Sequence, residues 1–146
     1  MEIYFEIIGN QENEKGNPIG YHRTTQGSYW NKGSKRYFAW KQYVVEAYLK
    51  VLPKDEADRF RLAREVDKKL KPISEKKAFI EMNITYGSRI HADQDNIFKG
   101  IADALFINDK EVDGMFRHKY GASGKVEVRI KTQKDVDNFS GQKIET

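Results

Sequence analysis

The sequence lacks cysteine, long apolar segments and internal repeats. Without cysteine the chain forms no disulfide, carries no thiol nucleophile and offers no thiolate ligand to zinc, which is typical of proteins in the reducing cytoplasm. No apolar run approaches the roughly 20 residues that span a bilayer, so we expect no membrane association. Met1 leads directly into a segment of alternating apolar and acidic residues, which predicts a cytoplasmic protein without a signal peptide.

The chain has 146 residues, a net charge of +4 and a pI near 9.1. This length predicts a single domain over residues 1–146 with a modest core. The moderate positive charge permits an anionic partner such as nucleic acid but does not require one. Residues 132–146 contain few apolar side chains, and we expect them to form a loose tail.

Periodicity predicts an α+β domain in which helices pack on a mixed β-sheet in two layers. Strands are predicted at residues 1–8, 78–86, 111–119 and 125–131, and helices at residues 34–52 and 54–71. The last two strands are expected to pair as a closing hairpin. Ser34 is the expected cap of the first helix and Pro53 its end. In the second helix, apolar residues that include Leu62 and Val66 recur at helical spacing, its high charge indicates one solvated face, and Pro72 stops it.

The most informative segment is residues 93–109, where four aspartates and one lysine fall within seventeen positions of a basic protein. Folded proteins rarely accept such clustering of like charges unless a cation lies among them. A lysine inside the acidic group suggests that the site handles phosphate as well as metal. The five residues are Asp93, Asp95, Lys99, Asp103 and Asp109.

Helical spacing predicts how these side chains are arranged. A helix from Asp95 packs one apolar face on the sheet and presents Asp95, Lys99 and Asp103 as a polar column. Asp95 is expected to cap this helix, and Asp93 to project to the same side. Asp109 follows in a turn that could fold back toward the column.

Two ordinary interpretations compete with a metal site. Asp95 could act only as the helix cap, and Asp95, Lys99 and Asp103 could form an exposed ladder of ion pairs. Convergence of Asp93, Asp95 and Asp109 would instead require a divalent cation. His91 precedes this group and could contact phosphate, whereas His22 and His118 are expected to have surface or hydrogen-bonding roles.

Residues 89–112 resemble the RusA family of Holliday junction resolvases, which cut four-way DNA junctions in bacteria and phages. The family pattern is Asp-x-Asp-Asn-x-x-Lys-x-x-x-Asp-Ala-Leu followed by an acidic turn. It occurs here as Asp93-Gln94-Asp95-Asn96-Ile97-Phe98-Lys99, then Asp103-Ala104-Leu105 and Asp109-Lys110-Glu111-Val112. The family's basic turn after the first strand is only partly present, as Lys15-Gly16-Asn17-Pro18 and Arg23.

The resemblance implies a role for each matched residue. Asp93, Asp95 and Asp109 correspond to the metal-binding carboxylates and Lys99 to the essential lysine, while Asp103 and His91 are additional candidates. The cofactor implied is Mg²⁺, for which Mn²⁺ could substitute, and the assembly implied is a homodimer that binds branched DNA. A bacterial or phage origin follows from the same resemblance.

We therefore expect a metal-dependent endonuclease that resolves Holliday junctions by paired nicks in DNA recombination and repair. Oxygen ligands suit a hard cation, which would activate water for attack on the phosphodiester. The basic residues expected to hold the DNA backbone are Lys15, Arg23, Lys32, Lys35, Arg36 and Arg89.

Several alternatives stay open from the sequence. The chain could be a non-catalytic module that binds DNA junctions or a partner protein, or an unrelated Mg²⁺-dependent phosphohydrolase acting on nucleotides. The aromatic residues Tyr29, Trp30 and Tyr37 could stack on unpaired bases or cover a small core. The run from Lys68 to Lys71 is most simply solubilising, with DNA contact as the alternative.

Overall fold

The computed structural model describes residues 2–23 and 31–132. The predicted base contacts of Tyr29 and Trp30, and the predicted tail beyond Thr132, lie outside these ranges. The described elements are β1 (Glu2–Ile8), α1 (Lys32–Leu49), α2 (Lys54–Val66), β2 (Ala78–Tyr86), α3 (Gln94–Leu105), a 3₁₀ turn (Asp109–Glu111), β3 (Val112–Tyr120) and β4 (Lys125–Thr132).

The four strands form one mixed sheet in the order β1-β4-β2-β3. β4 runs antiparallel to both β1 and β2, whereas β3 runs parallel to β2. The prediction of an α+β fold with a mixed sheet is confirmed, but the predicted closing hairpin is wrong because β2 lies between β3 and β4. The apolar face of β4 explains its central place, since Val126, Val128 and Ile130 are fully buried.

The loop between β3 and β4 crosses the end of β2 at close range. The Gly121 N–H donates to the Tyr86 carbonyl at 2.9 Å. A Cβ at Gly87 would lie 3.0 Å from the Gly124 nitrogen, and a Cβ at Gly124 would lie 2.0 Å from the Gly16 oxygen. Glycine is therefore required where the chain passes over β2 and meets the N-terminal loop.

The core forms where one face of the sheet is covered by helices α1 and α3. β1 contributes Phe5 and Ile7, and β2 contributes Ile80, Met82, Ile84 and Tyr86, all almost completely buried. The predicted apolar face of α3 is present, with Ile97, Ile101, Ala104 and Leu105 buried in the same cluster. The opposite face of the sheet carries ion pairs such as Arg129–Glu2 and Lys131–Glu81. No helix in the described ranges is both long enough and apolar enough to cross a membrane.

Helix α1 begins earlier and ends earlier than predicted. Asn31 caps it, because its side-chain oxygen accepts the Ser34 N–H at 2.8 Å, whereas Ser34 itself is buried in the first turn. The helix ends at Leu49 rather than at Pro53. Its buried face, which includes Trp40, Val44 and Tyr48, covers the sheet.

Helix α2 is shorter and less buried than its apolar spacing predicts. It ends at Val66 instead of continuing to Lys71, and Ala57 is its one buried residue. Leu62 and Val66 are 64% and 91% exposed, so these two apolar positions face solvent. Charged side chains dominate this helix, and little apolar surface is left to hold it on the core.

Strand β3 forms an exposed edge of the sheet. On its outer side it pairs with no strand among the described residues, and every side chain after the half-buried Val112 is exposed. Met115 and Phe116 are 46% and 37% exposed, and Phe116 contacts the half-buried Phe98. Phe106 is fully buried and takes no part in this exposed surface.

Candidate functional site

The candidate site lies where the chain leaves β2 and begins α3. Because β2 and β3 are parallel, α3 runs back along the sheet from the end of β2 to the start of β3. Ligands of open α/β sheets commonly bind outside the carboxyl ends of the strands. The loop at this position carries Arg89, His91 and Asp93.

Asp93 and Asp95 are exposed together at the N-terminus of α3. Asp93, not Asp95 as predicted, occupies the capping position, with φ −67° and ψ 153°, and its side chain makes no capping hydrogen bond. Asp95 lies in the first turn. The partial positive charge of a helix N-terminus stabilises both carboxylates. Both carboxylates are therefore open to solvent near the start of α3.

Lys99 lies one turn further along α3 and faces Asp95. Its Nζ is 3.9 Å from the Asp95 carboxylate, and the two side chains are 61% and 59% exposed. Such an exposed pair contributes little to stability, so its geometry leaves the ammonium available to a phosphate.

Asp103 belongs to a separate, structural cluster. Its carboxylate accepts the Tyr37 hydroxyl at 2.7 Å and lies 3.1 Å from both Lys41 and Lys71. The Lys71 ammonium also donates to the Asp103 main-chain carbonyl. The predicted polar column is therefore interrupted, because α1 covers α3 at the buried Gly100 and at Asp103.

The cluster sets the ionisation of its two acidic members. Burial alone raises the pKa of Asp103, but the Tyr37 hydrogen bond and the charges of Lys41 and Lys71 outweigh it and lower the pKa. Burial, followed by the Asp103 contact, raises the pKa of Tyr37 strongly. Tyr37 is buried and holds Asp103, so it is not free to stack on a base.

Asp109 lies at the opposite end of α3 from Asp93 and Asp95. It precedes β3, which begins beside Ala78 at the start of β2. Twelve helical residues separate the two ends, or about 18 Å. Among the described residues no group of three or more His, Asp or Glu side chains is close enough to hold a metal ion. The predicted grouping of Asp109 with Asp93 and Asp95 does not form within one chain, because α3 runs away from its starting point.

An aromatic cluster adjoins the carboxylates and was not predicted. The His91 ring stacks on Tyr86 with centroids 3.5 Å apart and planes 13° apart. Its Nδ1 lies 2.9 Å from the Ala92 carbonyl and its Nε2 lies 2.9 Å from the Tyr120 hydroxyl. Because a carbonyl only accepts, Nδ1 donates to Ala92, whereas the Tyr120 hydroxyl can either donate to Nε2 or accept from it. The sequence signal was the tyrosine that ends each of two strands.

The negative charge of the nearby carboxylates also acts on this aromatic cluster. Burial, followed by the nearby charge of Asp93, raises the pKa of Tyr86 to about 12, and its hydroxyl donates to the Ala92 carbonyl at 2.9 Å. The Arg89 guanidinium lies 6.0 Å from the centre of the Tyr120 ring. His91 is thus fixed between two tyrosines, and the exposed Arg89 and Tyr120 form the outer surface.

The N-terminal loop is tied to the segment that precedes α3. The Asn17 side chain accepts the Gly87 N–H at 2.6 Å and donates to the Ser88 hydroxyl and the Ile90 carbonyl, at 2.9 and 3.0 Å. The Tyr21 N–H donates to the Asn96 carbonyl at 2.9 Å. These bonds hold the loop beside the carboxylates, around a cavity of about 440 Å³.

The predicted DNA-binding residues are distributed around this loop and α1. Lys15, Arg23, Lys32, Lys35 and Arg89 are exposed. Arg36 is also exposed but pairs with Glu12 at 2.6 Å, so part of its charge is already neutralised. Their contact with DNA stays a prediction.

Comparison with known proteins gives no family for this chain. No protein-family model matches it, and no curated protein matches it. What the fold establishes is the coarser class, an α+β domain with a four-stranded mixed sheet. The resolvase-like pattern at residues 89–112 remains a sequence-based prediction.

The Asp103 cluster predicts a dependence of stability on pH. Because the folded pKa of Asp103 is below the 3.8 of the free side chain, its contribution is complete above that value and is lost as the pH falls through the folded pKa. Asp103→Asn should lower the free energy of unfolding by about 1–3 kcal/mol near neutral pH. The difference in the free energy of unfolding between this variant and the wild type should become smaller in acid. Urea denaturation near neutral pH and below pH 3.8 measures it.

Asp55→Asn is the matched control, because Asp55 forms an exposed pair with Arg59 at 3.8 Å. It should change stability by less than about 0.5 kcal/mol. Equal effects of the two substitutions, or a difference for Asp103 that does not depend on pH, would contradict the structural role of this carboxylate.

Proposed function

We propose that this protein is a divalent-metal-dependent endonuclease that cuts branched DNA, as the resolvase-like pattern implies. The observation that carries the proposal is the exposure of Asp93, Asp95 and Lys99 together at the N-terminus of α3. Two carboxylates and an ammonium at one point suit a phosphodiester and a cation. The structural role of Asp103 removes that residue from the proposed site.

The donor set at this point suits Mg²⁺. This ion usually keeps several waters and binds proteins through one or two carboxylates together with substrate phosphates. Asp93 and Asp95 supply two such carboxylates, and Asp93 makes no capping bond that would occupy its oxygens. Mn²⁺ accepts the same oxygen ligands. A bound cation of this kind would lower the pKa of a coordinated water and offset charge on the phosphodiester.

The chain's own residues would bind and orient the substrate. Lys99 would place its ammonium against the scissile phosphate, where developing negative charge gains most from it. Arg89, over the face of Tyr120, would hold a neighbouring phosphate. Lys15 and Arg23, exposed on the loop that Asn17 ties to the site, would neutralise the flanking backbone.

A second function is favoured by the position of Asp109. With that carboxylate at the far end of α3, one chain presents two acidic ligands rather than the three of the resolvase-like pattern. The alternative is therefore a module that binds DNA junctions, or a partner protein, without cutting. Mg²⁺-dependent cleavage of a synthetic four-way junction separates the two functions, because a binding module gives none.

We further propose a homodimer built through the outer edge of β3. An exposed edge strand is a ready template for pairing with another strand. Antiparallel pairing of two copies about Phe116 engages the whole of Val112–Tyr120. This register places Asp113 of each copy opposite Lys119 of the other and the two Phe116 rings together. A two-fold dimer of this kind would supply two active sites for paired nicks.

The carboxylates are tested by single substitutions. Asp93→Asn or Asp95→Asn should abolish junction cleavage, because the amide does not carry the charge that holds a cation. Junction binding in EDTA should persist or tighten, since repulsion of phosphate falls. Gel assays of cleavage and binding measure both effects, with Asp55→Asn as the control on an exposed carboxylate of α2. Cleavage at the wild-type rate by either variant would contradict the assignment.

Lys99 is tested by comparing rate with stability. Lys99→Ala should lower the single-turnover cleavage rate by orders of magnitude if its ammonium stabilises transition-state charge. Its loss as an exposed ion-pair partner should cost only about 0.3–0.5 kcal/mol of stability. Melting temperature and rate are measured on one preparation, and Lys110→Ala serves as the exposed control. A small effect on both quantities would leave Lys99 as a surface ion pair.

The dimer is tested by exchanging charges across the proposed pairing. Asp113→Lys alone and Lys119→Asp alone should each weaken dimerisation about tenfold, because like charges then face each other twice. An equimolar mixture of the two variants should recover the wild-type affinity, since each altered residue meets its opposite charge. Light scattering and sedimentation at micromolar concentration measure the masses.

The recovery in the mixture is specific to pairing about Phe116. A strictly monomeric wild type, with and without junction DNA, would exclude the paired-nick mechanism but allow nicking of single strands. A dimer that neither substitution weakens would place the interface elsewhere.

A further inference from the structure

A second charged surface lies near the other end of α3, in a cleft between α1 and the last turn of α2 together with the segment that follows it. The cleft encloses about 810 Å³. Cationic side chains line both sides of the cleft. They are Lys41, Arg64, Lys68, Lys69 and Lys71. Among the described residues that line the cleft, Asp103 is the one acidic side chain. The cleft therefore carries most of the excess positive charge of a chain whose net charge is +4.

The cations of the cleft differ in their partners. Lys41 and Lys71 hold Asp103, and that carboxylate is further satisfied by the Tyr37 hydroxyl. Arg64 is half-buried, yet it makes no ion pair or hydrogen bond within the described residues. Lys68 and Lys69 likewise lack a carboxylate partner there. A partly buried guanidinium without a counterion is costly, and an anionic ligand would offset that cost.

The cleft also has an apolar lining, which is contributed by Phe38, Val45, Leu70 and Ala104. Proteins that bind single-stranded nucleic acids combine a basic groove, which follows the phosphates, with aromatic side chains on which the bases stack. Phe38 supplies an aromatic ring to this lining. A free inorganic anion would make no use of the apolar lining.

We propose that this cleft binds the phosphate backbone of an unpaired nucleic-acid strand. The inference rests on the proposed function, because it extends the DNA surface from Asp95 toward Asp103. The two residues are eight positions apart on α3, or about 12 Å along the axis. That distance corresponds to roughly three to four nucleotides of a strand that keeps the stacked spacing of duplex DNA, about 3.4 Å each, and to fewer nucleotides of an extended strand. The same strand could therefore reach both the carboxylates and the cleft.

The test measures binding of a fluorescent oligothymidylate by anisotropy in EDTA, where no metal-dependent cleavage occurs. The cleft variant carries Arg64→Glu, Lys68→Glu and Lys69→Glu. The control variant carries Lys54→Glu, Lys76→Glu and Lys77→Glu, which make the same change in charge at exposed positions outside the cleft. Circular dichroism and thermal melting verify that both variants fold. A milder variant, Lys68→Ala with Lys69→Ala, covers the case in which charge reversal disturbs folding.

The cleft variant should raise the dissociation constant at least tenfold, whereas the control should change it less than about threefold. The slope of log K against log salt should fall by about 2 in the cleft variant, because three phosphate contacts are lost. Equal losses in the two variants would show that only bulk charge matters and would overturn the proposal. Competition by pyrophosphate or a mononucleotide as strong as that by the oligonucleotide would also overturn it, in favour of a small-anion site.

The outcome is separate from that of the proposed nuclease activity. If the protein cuts no junction in Mg²⁺ but the cleft variant loses strand binding, the proposed nuclease activity is wrong and the proposed strand binding is supported. If Asp93→Asn abolishes cleavage while the cleft variant binds strands normally, the nuclease activity is supported and the strand binding by the cleft is wrong.

Discussion

Parallel strands cannot be joined by a tight turn, so the connection from β2 to β3 must travel back along the sheet. Helix α3 makes that connection, and its apolar face closes the core over both strands. Two environments follow from this one constraint. The start of α3 projects into solvent beyond β2, where carboxylates remain exposed. Its later turns lie under α1, where a carboxylate must be paired to be tolerated. Aspartates close together in the sequence thus acquire different chemistry from their place on one helix.

The sequence predicts the periodic parts of the structure well. β2 occupies the predicted residues 78–86, and α3 buries the predicted apolar face. Alternation in β4 correctly indicates one buried face, but it does not indicate which strands lie on either side. That choice depends on packing of the whole sheet, so the hairpin prediction failed. In α2, helical spacing of apolar residues was not matched by a surface to bury them against.

In the candidate site, too, the sequence predicts local relations but not those that depend on the packing of distant segments. The sequence alone indicates that Asp93, Asp95 and Lys99 share one end of a helix, because that relation is local. The partners of Asp103 come from residues 37, 41 and 71, which are distant in sequence, and no local pattern could reveal them. The position of Asp109 depends on how far α3 runs before the chain turns. The stacking of His91 on Tyr86 depends on the strand register that brings Tyr120 alongside.

The order of the strands also has a consequence for how this protein is made. β4 comes last in sequence among the four described strands, yet it lies between β1 and β2 and supplies the hydrogen bonds that join them. During synthesis, β1 and β2 can form no common sheet until residues 125–132 have left the ribosome. The core is therefore completed only after the earlier elements have been made, through contacts between distant parts of the chain. Until then β2 exposes its strongly apolar face, and chaperones would have most to protect in that interval.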